Sequence, residues 1–143
     1  MTSDTAKVPA EEIFELITDQ WTGPYWDAAR RHVLTVPKCA SCGKFRMPPT
    51  PFCPHCLSQE IEWPELSGGG TIYSYTVVTR AIIPQMETTL PYVPALVELP
   101  DAPGVRLVTN IVDVPVSEIK VGQAVKVRWH DRRDGVTVPC FTF

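Results

Sequence analysis

Cys39, Cys42, Cys53 and Cys56 form two C-x-x-C pairs separated by ten residues in the stretch CASCGKFRMPPTPFCPHC. Each pair turns tightly enough to offer two thiolates, and four thiolates at about 2.3 Å make a tetrahedral site for one zinc ion. Four sulfurs leave no open coordination position for water or substrate, so the spacing predicts a structural metal rather than a catalytic one. His55 lies between two of these cysteines and could replace one, but beside a full set of four it reads as an exposed turn residue. The competing reading is a pair of redox dithiols or buried free thiols. Gly43, just after the second cysteine, suits the positive φ that such a turn requires. Four thiolates with one divalent ion carry a net −2, taking the chain from −3 to about −5, and Lys38, Lys44 and Arg46 stand close enough in sequence to offset it.

Little else in the chain has the types and spacing of a reactive centre. There is no glycine-rich phosphate loop, no G-x-S-x-G and no H-E-x-x-H. His32 and His130 are isolated in sequence and read as surface or capping histidines rather than bases. Cys140, in VPCFTF, alternates into a terminal strand as a small core residue rather than a nucleophile. The residues therefore favour a binding or accessory role.

The elements that must position the cysteines fall into three parts. At 143 residues the chain is about one domain long, with 44% hydrophobic and 20% charged residues. No apolar run approaches the eighteen or so residues of a membrane span. The first twenty residues lack the basic start and apolar stretch of a signal peptide, which gives a cytoplasmic reading. A net charge of −3 argues against a protein that lives on nucleic-acid phosphates. Fifteen prolines, about twice the usual share of roughly 5%, predict loops and edge strands.

Residues 1–36 read as an N-terminal helical arm. PAEEIFELITDQ (9–20) places Pro9 in a first turn and Glu11 and Glu12 near the positive end of the helix dipole. Ile13, Phe14 and Ile17 share one side, which predicts a short amphipathic helix. GPYWDAARRHVL predicts a second one starting at Pro24, with Tyr25, Trp26 and Ala29 on one face. Phe14, Trp21, Tyr25 and Trp26 are a large aromatic surface for an isolated arm, so they either pack on the rest of the domain or meet a partner.

Residues 37–64 read as the metal-binding segment, and from 65 to 143 the period changes to two. TIYSYTVVT (71–79), YVPALVEL (92–99), VRLVTNIVD (105–113), QAVKVRWH (123–130) and VTVPCFTF (136–143) predict five strands, punctuated by SGGG, PDAPG, KVG and RRDG. Val125, Val127 and Trp129 alternate with Lys126 and Arg128. Asp134-Gly135 signals the last hairpin, and glycines 68–70 allow a sharp bend at the start of the first strand. Five short strands of this kind predict a mainly β protein whose C-terminal part is an OB-like barrel. The long apolar loop 80–91, with Ile82, Ile83, Met86 and Leu90, either covers one end of that barrel or meets a ligand or partner.

Taken in order, YWDAARR, LTVPKCASCGKFRMPPTPFCPHC, EWPELSGGGTIYSYTVV, YVPALVELPDAPGVRLVTNIVDV and VTVPCFTF resemble a family of acyl-CoA-associated proteins. That family, described as a domain of unknown function, joins a rubredoxin-like zinc ribbon to an OB-fold, and the resemblance runs from about residue 11 to the C-terminus. It implies a non-catalytic helper that docks on a thiolase-superfamily protein of lipid-transfer type and helps shape a channel for coenzyme A thioesters. Retro-aldol cleavage of steroid side chains is one such setting. All four cysteines of the family's zinc site are kept. On this reading Arg80, Arg106 and Arg128 are the candidates for the phosphates of an acyl-CoA ligand. The rival reading is a single-stranded nucleic-acid-binding protein with Tyr73 and Tyr75 as stacking platforms, opposed by the acidic balance.

Overall fold

A computed structural model describes residues 4–13 and 15–143. Nine strands follow in chain order: β1 Leu34–Thr35, β2 Lys38–Cys39, β3 Ile61–Glu62, β4 Glu65–Leu66, β5 Gly69–Tyr75, β6 Val93–Glu98, β7 Arg106–Ile111, β8 Ala124–Asp131 and β9 Thr137–Thr142. The protein is mainly β. The five longer strands close into a barrel in the order β5-β6-β7-β9-β8, with β8 returning to β5. The two short pairs β1–β4 and β2–β3 form the stem of the cysteine segment. No helix among the described residues is long and apolar enough to cross a membrane.

Period-two patterning explains which side chains fill the barrel. Val93, Ala95 and Val97 of β6 and Leu107, Thr109 and Ile111 of β7 are buried, while Arg106 and Val108 face outward. Phe141 of β9 is fully buried and belongs to one continuous core with Ile72, Val97 and Ile111. The glycine run closes the sheet as its sequence suggests. Gly69–Thr71 pair with β8 and Thr71–Tyr75 pair with β6, so β5 is shared across the seam. A Cβ on Gly70 would stand 2.4 Å from the Val97 side chain, so only glycine permits that approach. The β8–β9 hairpin turns at Gly135, which has a φ of 86°.

Two expectations for the N-terminal arm need correction. In place of a helix over 9–20 there is a single 3-10 turn, Glu11–Ile13. Phe14 lies outside the described residues, and Ile17, assigned to the apolar face, is 87% exposed. Tertiary contacts outweigh the local pattern. The Glu11 carboxylate meets His130 Nε2 at 2.9 Å, and the Glu11 carbonyl accepts from Arg132 Nη2 at 2.9 Å. Downstream, Asp19 Oδ1 accepts the N–H groups of Trp21 and Thr22, a side-chain turn that competes with helix. The two histidines, isolated in sequence, are paired in space: His130 with Glu11, and His32 with Asp131 at 3.0 Å.

The second helix does form, as α1, Gly23–Arg30, with proline in its first turn. It packs against β9 and β1, burying Tyr25, Ala28 and Ala29, and leaves Trp26 half-buried with its ring edge-on to Tyr25 at 5.0 Å. Ala6, in the segment before Glu11, is buried in the same core as the barrel residues. Packing on the domain therefore accounts for Tyr25. Strand β5 stops at Tyr75, short of the expected 79, although Val78 still bridges to Tyr92. Loop 80–91 carries a 3-10 turn, Pro84–Thr89, that buries Met86 and leaves Ile82 and Ile83 exposed.

The Glu11–His130 contact sets a sign for acid stability. Its hydrogen bond to His130 holds the Glu11 carboxyl below the usual range, so it contributes stability above the unfolded carboxylate pKa, and that contribution fades as pH falls through the lower folded value. Glu11→Gln should melt at a lower temperature than wild type at pH 7, with the two melts converging below about pH 4. A difference that widens in acid would contradict the assignment.

Candidate metal centre and the groove beside it

The two C-x-x-C turns have the same backbone construction. The Cys39 N–H donates to the Lys44 carbonyl and the Gly43 N–H to the Cys39 carbonyl; the Cys53 N–H donates to Ser58 and the Leu57 N–H to Cys53. The residue after each second cysteine is left-handed, with φ 78° at Gly43 and 64° at Leu57. Glycine accommodates this freely, whereas an exposed leucine accepts it only because the turn demands it. Each turn also aims an N–H at its first sulfur: Cys42 N–H at Cys39 Sγ and His55 N–H at Cys53 Sγ, both at 3.4 Å. The bond from Cys42 is foremost among those that bring the Cys39 thiol down to about 6, favouring the thiolate that a metal requires.

The four sulfurs lie within 4.8 Å of one another. Cys39 and Cys56 are 3.6 Å apart, as are Cys42 and Cys53. A regular zinc tetrahedron with 2.3 Å bonds has edges of about 3.8 Å, so the cluster fits zinc, and the separations are far from a disulfide's. Cys39 and Cys53 are buried while Cys42 and Cys56 reach the surface. His55 is exposed in the turn and outside the sulfur cluster. Of the neighbouring cations, Arg46 is buried with Nε and Nη2 donating to the Thr50 carbonyl, and Lys38 lies over the Phe45 ring.

Arg46 anchors the loop that brings Met47 and Pro48 to the edge of a mostly apolar groove of about 610 Å³. Every part of the chain contributes to its walls: Ile13 from the arm, Trp26 from α1, Met47 from the cysteine segment, Ile83 and Met86 from the loop after β5, and β7 with β9 from the barrel. Arg106 to Asn110 line it as five consecutive residues. Val108 is 78% exposed beside it.

The three arginines expected to meet phosphates do not converge. Arg106, at the head of β7, pairs with Glu98 at 3.5 Å and lies 3.9 Å over the Tyr73 ring. Arg128 pairs with Asp113 at 3.0 Å, beyond the other end of β7 and roughly 20 Å along the strand. Arg80 is exposed in the loop after β5. Tyr75 donates its hydroxyl to the Ile119 carbonyl at 2.9 Å, and the exposed Tyr73 carries the Arg106 guanidinium over one ring face. Cys140 is a core residue, its thiol pushed up to about 11 by burial. Sequence reading did not single out Met47, Tyr92 or Pro139; of these only Pro139, a proline inside a strand, carried a signal of its own.

Comparison with known proteins follows the same division. The ChsH2 rubredoxin-like zinc ribbon domain matches residues 26–62, and the ChsH2 C-terminal OB-fold domain matches residues 63–130. A probable enoyl-CoA hydratase alpha subunit of Thermomonospora curvata is 39% identical over 82% of this chain and 35% of its own length. A 3-oxo-4,17-pregnadiene-20-carboxyl-CoA hydratase alpha subunit of Mycobacterium tuberculosis is 31% identical over 79% of this chain and 35% of its own length. The chain thus spans about a third of these two relatives. A chain of the solved Ltp2-ChsH2(DUF35) aldolase superposes with a TM-score of 0.80 at 35% identity, covering 90% of this chain and 98% of that one.

Zinc binding to such a segment acts as folding free energy, on the order of 10 kcal/mol in small zinc domains. Purified protein should carry one zinc per chain by atomic emission. Cys39→Ser and Cys53→Ser should each lose it and open residues 40–60 to protease while the barrel stays resistant. Full zinc retention in both variants would contradict the assignment.

Proposed function

The chain belongs to the ChsH2 family of zinc-ribbon and OB-fold proteins, and from that premise we propose that it is the accessory subunit of an acyl-CoA-processing complex. It docks on a thiolase-superfamily partner of lipid-transfer type and helps form the acyl-CoA site for carbon–carbon cleavage or acyl transfer. Retro-aldol cleavage of a steroid side-chain CoA thioester is the reaction favoured, because the similar solved chain comes from an aldolase and one relative is named for a steroid-derived CoA thioester.

The observation that carries this reading is the groove. Soluble proteins seldom leave a broad apolar surface open without a use, and this one is assembled from the arm, the helix, the ribbon and the barrel together. Its half-buried Trp26 and exposed Ile83 and Val108 have the character of interface anchors ringed by weaker contacts. His32 and His130 serve contacts within the fold, pairing the residues after α1 and the arm with β8. On this reading the reacting acid, base or nucleophile belongs to the partner.

The test is assembly followed by turnover. The chain and the lipid-transfer-type protein from its own genome should co-elute as a complex that cleaves a β-hydroxyacyl-CoA, with no cleavage by this chain alone. Ile83→Glu and Trp26→Ala should weaken assembly by about tenfold or more, with zinc content and circular dichroism unchanged. Turnover by the isolated chain that disappears in Cys140→Ala would instead make it an enzyme.

A further inference from the structure

The four cysteines of the cluster are not equivalent. Cys39 and Cys53 are 0% and 1% exposed, and the sulfur of each accepts a backbone N–H at 3.4 Å, from Cys42 and from His55. Cys42 and Cys56 are exposed. Each exposed cysteine has a buried one as its close neighbour: Cys42 Sγ lies 3.6 Å from Cys53 Sγ, and Cys56 Sγ lies 3.6 Å from Cys39 Sγ. Both close pairs therefore run from one C-x-x-C turn to the other, and each joins a residue open to solvent to one shut away from it.

That arrangement has a chemistry besides holding a metal. Four sulfur ligands deny a substrate access to zinc, but they are held as thiolates, and oxidation of cysteine follows thiolate character and exposure. Burial and a donated N–H make Cys39 and Cys53 the slower members of their pairs to meet an oxidant. The exposed cysteine is the point of entry, and its buried neighbour is the thiolate in place to resolve it.

We propose that the cluster is a peroxide-reactive site: hydrogen peroxide oxidises Cys42 or Cys56, and the adjacent buried cysteine closes a disulfide between the two turns, Cys42–Cys53 or Cys39–Cys56, with release of the metal. In the first step the exposed thiolate attacks one peroxide oxygen, the O–O bond breaks, and hydroxide departs to leave a sulfenic acid. In the second the buried thiolate attacks that sulfur, the S–O bond breaks, and a second hydroxide departs. Two thiolates have then given two electrons to one peroxide, and both hydroxides take up protons to become water. The two remaining thiolates are too few for a closed tetrahedral sphere. A bond between Cys42 and Cys53 closes the loop that carries Met47 and Pro48 to the groove, so the state of the sulfurs bears on that wall. Cys140 takes no part, since it lies in the core outside the sulfur cluster. None of this depends on the accessory-subunit reading.

Treating the zinc-loaded full chain with one equivalent of hydrogen peroxide tests the proposal. Zinc freed, read with a metallochromic dye, should match the disulfide formed one for one. With the remaining thiols blocked under denaturing conditions, trypsin cuts after Lys38, Lys44, Arg46 and Arg80, which leaves Cys39 and Cys42 on peptide 39–44 and Cys53 and Cys56 on peptide 47–80. A disulfide between the turns joins these two peptides, and tandem mass spectrometry should place it at 42–53 or 39–56. Reduction should separate the peptides, and the reduced protein should take up zinc again. Cys140→Ser should release zinc at the wild-type rate. Disulfides confined to either peptide, a bond between the two buried or the two exposed cysteines, or zinc retained while peroxide is consumed overturns the proposal. Loss of zinc release in Cys140→Ser overturns it as well.

Discussion

Four thiolates converging on one point are the constraint on which the N-terminal half of the molecule depends. Between residues 40 and 60 only Arg46 and Cys53 are buried, far too little apolar area to hold twenty residues in place. The sulfur cluster stands in for a core. It also fixes the loop that carries Met47 and Pro48, so the metal bears on the groove without facing it. A coordination sphere filled by sulfur has no position to offer a substrate, which is why the part of the site in the function reduces to shape.

The barrel supplies the complementary constraint. Its seams are unequal: β8 and β9 share a long ladder, whereas β7 and β9 meet at one residue pair. Pro139 has no N–H to extend that seam, and its carbonyl accepts the Thr109 hydroxyl. Where the ladder ends the wall opens, and α1 and the segment before it pack beside the opening. The loop after Arg46, the helix and the β7–β9 seam thus meet at one place.

What was legible in the sequence was whatever short spacing controls. C-x-x-C turns, the DG hairpin and period-two strands are dictated within a few residues, and each lies where its pattern indicated except at the end of β5, which stops at Tyr75. The helix expected over 9–20 was misjudged because Glu11 is bound by His130, 119 residues away, in a contact that no window of sequence contains. The surroundings of the arginines were hidden for a related reason: Glu98 and Asp113 pair with Arg106 and Arg128 across strand pairs and turns. The groove was invisible as a unit, since its lining comes from segments spread between Pro9 and Pro139. Pro139 could have been noticed, because a proline inside a barrel strand marks a place where pairing must fail.

The central claim is that the groove, and no other face, is where a partner sits. Site-specific photo-crosslinking tests it most directly, with p-benzoylphenylalanine placed in turn at Ile83, on the groove, and at Val121, exposed outside it. The account predicts covalent capture of the lipid-transfer-type subunit from position 83 and none from position 121. Capture from 121 with none from 83 would contradict it.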